Sequence, residues 1–73
     1  MKAQDLIRMA NQIADYYRAY PKEEAELGVA THIKSFWDPR MRAGLTDIVK
    51  GGGNGLNDLA LAGALRVVKP DMV

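Results

Sequence analysis

Apolar residues return every three or four positions along the start of the chain. Leu6, Met9, Ala10, Ile13, Tyr16, Tyr17 and Tyr20 share one helical face, and Arg8, Asn11, Gln12, Asp15 and Arg18 fall opposite. The spacing predicts a first helix over residues 3–20. On its polar side Asp5 reaches Arg8, and Asp15 reaches Arg18, across one turn. Pro21 stops it, because the residue before a proline is pushed out of the α region.

The pattern restarts at once and predicts a second helix over residues 21–37. Pro21 is expected in its first turn, where the missing N–H costs nothing. Glu23 and Glu24 follow, at the end where the helix dipole favours negative charge. Val29, Ala30, Ile33, Phe36 and Trp37 make the apolar stripe. Gly28 interrupts it at a cost of about 1 kcal/mol relative to alanine. It reads either as a tolerated flaw or as the close approach of a neighbouring helix.

A third helix is expected over residues 39–50, with Met41, Leu45, Ile48 and Val49 inward. Lys50 suits the C-terminal dipole, and Gly51 is expected to supply a left-handed cap. Residues 51–56 read as a flexible Gly-rich connector. A fourth helix is expected over residues 57–68, capped by Asn57.

This last helix breaks the amphipathic pattern. Leu56, Leu59, Ala60, Gly63 and Val67 mark one side, while Leu61, Ala64, Leu65 and Val68 mark the other. Its charges are Asp58, Arg66 and Lys69. A helix that is apolar all round is buried all round. Three other short helices do not easily cover both sides, so the outer side, with Leu61 and Leu65, is expected to meet another chain. The alternative is that the bundle itself wraps the helix. Pro70-Asp71-Met72-Val73 is expected to fray. The fold class is all-α: one domain, a small bundle of three to four short helices.

Composition narrows what such a bundle does. A chain of 73 residues buries a small core, and without a cysteine it has no disulfide to brace it. Its stability must come from helix packing or from a partner. One histidine and no cysteine make no metal site. A net charge of +1, with signs alternating along the chain, lacks the basic face that nucleic acid requires. The longest apolar run, around Leu59–Leu65, falls short of the roughly 20 residues that span a bilayer. The start, Met1-Lys2-Ala3-Gln4-Asp5, is polar and lacks the apolar core of a signal peptide, so a cytoplasmic location is expected.

Candidate chemistry is sparse. The acids Asp15, Glu23, Glu24, Glu26, Asp38, Asp47 and Asp58 are scattered, with no pair placed as acid and base. His32 has Thr31 and Ser35 nearby but no triad pattern, and a half-buried, hydrogen-bonded histidine is expected. The glycine run lacks the Gly-Lys-Ser/Thr ending of a phosphate-binding loop. Tyr16, Tyr17 and Tyr20 stand at helical spacing and are expected at the core and its rim.

The densest cluster is Phe36-Trp37-Asp38-Pro39-Arg40-Met41-Arg42. It reads as an elbow between two helices. Asp38 is the expected N-cap, accepting from the N–H of Arg40 or Met41, and Pro39 fits the first helical position. Arg42 is placed either for a cation–π contact with Trp37 or for a pair with Asp38. Trp37, Arg40 and Arg42 have no further local purpose. Trp and Arg are enriched at binding hot spots, so these three are expected to hold a partner; the alternative is a plain helix elbow with incidental surface arginines.

These residues carry a family resemblance. Met9-Ala10-Asn11-Gln12-Ile13, Ala30-Thr31-His32-Ile33 and Phe36-Trp37-Asp38-Pro39-Arg40-Met41-Arg42 resemble the delta subunit of the molybdenum-dependent, NAD-linked formate dehydrogenases of bacteria. The Gly-rich stretch before the final Leu/Ala-rich helix is a weaker echo. The resemblance implies a non-catalytic accessory polypeptide that supports assembly, stability or cofactor maturation of the catalytic subunits. Those partner subunits are expected to carry the molybdenum cofactor, iron–sulfur clusters, FMN and NAD, with no cofactor on this chain. It transfers no catalytic residue. Two alternatives stand beside it: a transient maturation factor lost from the finished enzyme, and a small regulatory or nucleic-acid-binding helical protein. In isolation, the excess apolar surface is expected to favour self-association.

Overall fold

The computed structural model describes residues 2–68. Met1, Lys69 and the expected frayed tail Pro70-Asp71-Met72-Val73 lie outside the described residues. The fold is all-α, with four helices in the described residues: α1 (Ala3–Tyr17), α2 (Lys22–Phe36), α3 (Pro39–Lys50) and α4 (Asp58–Val67).

The first helix stops three residues short of the expected Tyr20, and Pro21 is the reason. Continuing the helix would require position 21 to donate to the Tyr17 carbonyl, and the proline ring would collide with that same oxygen. The Tyr20 N–H takes the Tyr17 carbonyl instead, at 3.0 Å. Pro21 is the N-cap of α2 rather than a first-turn residue, with φ −55° and ψ 149°. At the far end of α2, Trp37 has already left the helix in an extended conformation (φ −85°, ψ 138°). Asp38 is extended too, and the chain turns into α3.

The expected left-handed cap at Gly51 is displaced by one residue. Gly51 has φ −82°, in ordinary right-handed space, while Gly52 has φ 111°. The Gly52 N–H donates to Val49 at 3.0 Å and the Gly53 N–H to Ile48 at 2.9 Å. This paired arrangement closes α3 with Gly52 in the position that a side chain would strain. The connector that follows is pinned rather than loose. Asn11 Nδ2 donates to the Gly55 carbonyl at 2.9 Å, and Asn11 Oδ1 accepts from the Asn57 N–H at 2.9 Å. Asn57 caps α4 as expected, accepting from the Ala60 N–H at 2.8 Å.

The core is assembled mainly from small residues. Ala10 and Ala14 of α1, Val29 and Ile33 of α2, Leu45 of α3, and Ala60 and Ala64 of α4 are fully buried. Ala64, expected on the outer side of α4, is therefore part of the core. The α2–α4 contact is the most extensive in the bundle, and Gly63 is what lets these helices approach. A Cβ built there would lie 2.7 Å from Val29 Cβ. Gly28 plays the same part between α2 and α1, because a Cβ there would lie 2.6 Å from Tyr17 Cδ1. Of the two readings of Gly28, the structure takes close approach. This economy leaves large apolar side chains outside: Phe36 is 74% exposed and Tyr16 70%.

Candidate functional site

The elbow folds by capping. Asp38 accepts from the Met41 N–H at 2.8 Å, and Pro39 opens α3. Trp37 is only 4% exposed and belongs to the core cluster with Leu6, Ile33 and Leu45. Trp37, expected as a partner's anchor, is thus packed within the chain itself. The reversal of direction at the elbow turns its ring inward, where a chain this short needs it. Arg42 is likewise engaged within the chain. Its guanidinium donates to the Trp37 carbonyl and, at 3.5 Å, to the Lys34 carbonyl. It thereby satisfies carbonyls left open at the C-terminal end of α2, where positive charge is also favoured. The expected Trp37 ring contact and Asp38 pair are replaced by this carbonyl clamp.

Leu61 is half-buried and packs on Gly53, whose hypothetical Cβ would stand 2.8 Å from Leu61 Cδ1. Arg40 is exposed, beside a groove between α1 and α3 lined by Leu6, Met41 and Gly44. Leu65 is 46% exposed on α4. Of the residues expected to face a partner, Arg40 and Leu65 are exposed, Arg42 and Leu61 are half-buried, and Trp37 is buried.

A different surface stands out. A groove between α1 and α2 is lined by Met9, Ile13 and Tyr16 on one wall and His32 and Phe36 on the other, with Trp37 among its lining residues. Gln12 and Tyr17 complete the lining, which holds no lysine, arginine, aspartate or glutamate. His32 is half-buried; the contact its ring makes is with Phe36, at 4.7 Å between centroids, in place of the expected hydrogen bond. Tyr16 meets Tyr17 edge-to-face at 5.0 Å. The sequence pattern counted Phe36 in the inward stripe of α2. It stands at the edge of that stripe, one turn beyond His32, and so lines the groove instead of filling the core. The His32–Phe36 spacing of four residues was the available signal, since such pairs stack along one helix face.

The formal charges near α4 are paired with one another. Arg66 Nε meets Glu26 Oε1 at 3.1 Å and ties α4 to α2. Arg18 reaches Asp15 at 3.4 Å and Asp58 at 3.3 Å, tying the end of α1 to the start of α4. The Asp58 carboxyl is held below its ordinary range, first by the hydrogen bond from the Leu59 N–H and then by Arg18. Among the described residues, no group of three or more His, Cys, Asp or Glu is placed to hold a metal ion. No helix among them is long and apolar enough to cross a membrane.

No curated protein and no solved structure gives a significant match to the chain. The family described as NADH-dependent formate dehydrogenase delta subunit FdsD matches residues 5–64. That span runs from the first turn of α1 to Ala64 of α4, taking in the elbow, the α1–α2 groove and the Asn11-clamped connector. With most of its length matched, the chain belongs to the family of formate dehydrogenase delta subunits.

Proposed function

We propose that this chain is a non-catalytic accessory subunit of an NAD-dependent molybdenum formate dehydrogenase. It docks on the cofactor-bearing subunits in the cytoplasm and supports their assembly, stability or cofactor loading. The chemistry of formate oxidation, with molybdenum cofactor, iron–sulfur clusters, FMN and NAD, resides on those partners. The observation that carries the reading is the family match across residues 5–64. The build of the molecule supports it: an alanine- and glycine-rich core that buries few large side chains, with aromatic rings left at the surface. Apolar surface left outside a small domain is stabilised by covering it with another chain.

The test is to express the catalytic subunits with and without this chain. Formate-dependent NAD reduction, molybdenum content and subunit stoichiometry of the purified enzyme are then measured. The proposal expects lower activity per enzyme without the chain, and a fixed stoichiometry with it. Full activity after the chain has been lost from the purified complex assigns it to transient maturation instead. Equal activity and molybdenum content in both preparations contradicts the accessory role.

A further inference from the structure

We infer that the α1–α2 groove is the docking surface, and that its occupant is an uncharged apolar face of a helix from a neighbouring formate dehydrogenase subunit. This rests on the subunit reading above and names the partner's chemistry at one site. The groove is framed by two packed helices, the setting in which a third helix lays its apolar side. Its accessible lining has the composition of an interface centre: Tyr, Phe and Met are present, while lysine, arginine, aspartate and glutamate are missing. In a chain that is 26% charged, such a lining is a selective feature. It also dictates the partner's chemistry. A charged side chain entering this groove would lose water and find no opposite charge on the walls, so the complementary face carries none.

Phe36 and Tyr16 are the anchors. Both rings are mostly in water in the isolated chain, on opposite walls, and a helix between them would cover both. The competing surfaces are poorer. Arg66 of α4 is paired with Glu26, and Leu65 is a lone large aliphatic residue of that helix that is exposed, at 46%. Leu27, 51% exposed, lies nine residues from Phe36 on the same helix and therefore about 180° away from the groove.

The test measures affinity of the isolated chain for the purified catalytic subunits. Phe36→Asp and Tyr16→Asp are compared with Leu27→Asp and Leu65→Asp, and Phe36→Leu serves as the conservative variant. All four positions are exposed, and circular dichroism verifies the folds of the five variants. The expected result is about thirtyfold weaker binding for each groove aspartate, little change for the two controls, and near-normal binding for Phe36→Leu. Binding that falls with Leu65→Asp or Leu27→Asp and survives Phe36→Asp overturns the groove while leaving the subunit reading standing. Absence of binding by the unaltered chain overturns both. The same variants are run in sedimentation. A dimer of the unaltered chain that Phe36→Asp dissolves, with catalytic-subunit binding intact, assigns the groove to a second copy and overturns the proposed occupant.

Discussion

Asn11 and Asn57 hold each other across the bundle: the side-chain oxygen of Asn11 accepts the backbone N–H of Asn57 at 2.9 Å. The other half of the same amide donates to the Gly55 carbonyl at 2.9 Å. One side chain on α1 therefore fixes the end of the connector and the start of α4, and Asn57 in turn caps that helix through the Ala60 N–H. Asn11→Ala is expected to destabilise the fold by about 1–3 kcal/mol, because it leaves a partly buried backbone N–H unpaired. Asn11→Asp keeps the acceptor toward Asn57 but sets a carboxylate against the Gly55 carbonyl, and should also lose stability. Thermal unfolding of both variants checks this. An Asn11→Ala protein that melts with the unaltered chain would show that the clamp is incidental.

The alanine- and glycine-rich seam between α2 and α4 should be the least tolerant part of the core. Gly63→Ala places a methyl against the β-branched, fully buried Val29. A loss of about 1–3 kcal/mol is expected from overpacking, in spite of alanine's better helix propensity. Gly28→Ala meets the ring of Tyr17, a side chain that is only half-buried and hinges at its own χ angles, unlike the fully buried, β-branched Val29. Its loss should be the smaller of the two. Denaturant melts of the pair give the ordering directly.

The elbow separates folding from docking. Trp37→Ala removes a buried ring and is expected to cost about 3–5 kcal/mol, enough to threaten a domain of this size. Loss of the complex in that variant would therefore report unfolding. Arg42→Ala removes donors to the Trp37 and Lys34 carbonyls, with an expected cost of about 1 kcal/mol. Stability, read by chemical denaturation, should fall in both, while the binding affinity of still-folded Arg42→Ala should stay near normal. Selective loss of binding by that variant would return Arg42 to the docking surface.

Much of the fold was legible from the chain because its signals are local. The three- and four-residue periodicity, Pro21, Asp38-Pro39 and Asn57 place the helices to within a few residues. The site was harder to read for reasons of tertiary geometry. Trp37 reads as an anchor in the sequence because nothing in the local capping of the elbow accounts for it. The inward turn of the elbow, which buries it, is set by how α2 and α3 pack around α1. Phe36 looked like core because periodicity gives a face and not the width of the contact on that face. Asn11 fell on the polar side of its helix, and its partners at Gly55 and Asn57 are more than forty positions away in sequence. Gly52 took the left-handed cap expected of Gly51 because neighbouring glycines leave the local rule without a unique answer.

Acid should expose the bridge between α1 and α4. Asp58 titrates below its ordinary value of 3.8, held down by the Leu59 N–H and Arg18. A carboxyl whose folded pKa is lowered contributes stability above its unfolded pKa, and that contribution is lost as pH falls through the folded value. The side chain is exposed, so the effect is small. The expected outcome is that Asp58→Asn melts below the unaltered chain at neutral pH and that the two curves converge as pH falls below 3.8. Parallel curves down to strong acid would remove Asp58 from the bridge.

The most direct measurement is side-chain footprinting by hydroxyl-radical labelling, on the isolated chain and on the chain within purified formate dehydrogenase. Phe36 and Tyr16 should label readily in isolation and fall to background in the complex, while Leu27 and Leu65 keep their reactivity. Unchanged labelling of Phe36 and Tyr16 in the complex, with protection at Leu65 or Leu27, would contradict docking through the α1–α2 groove.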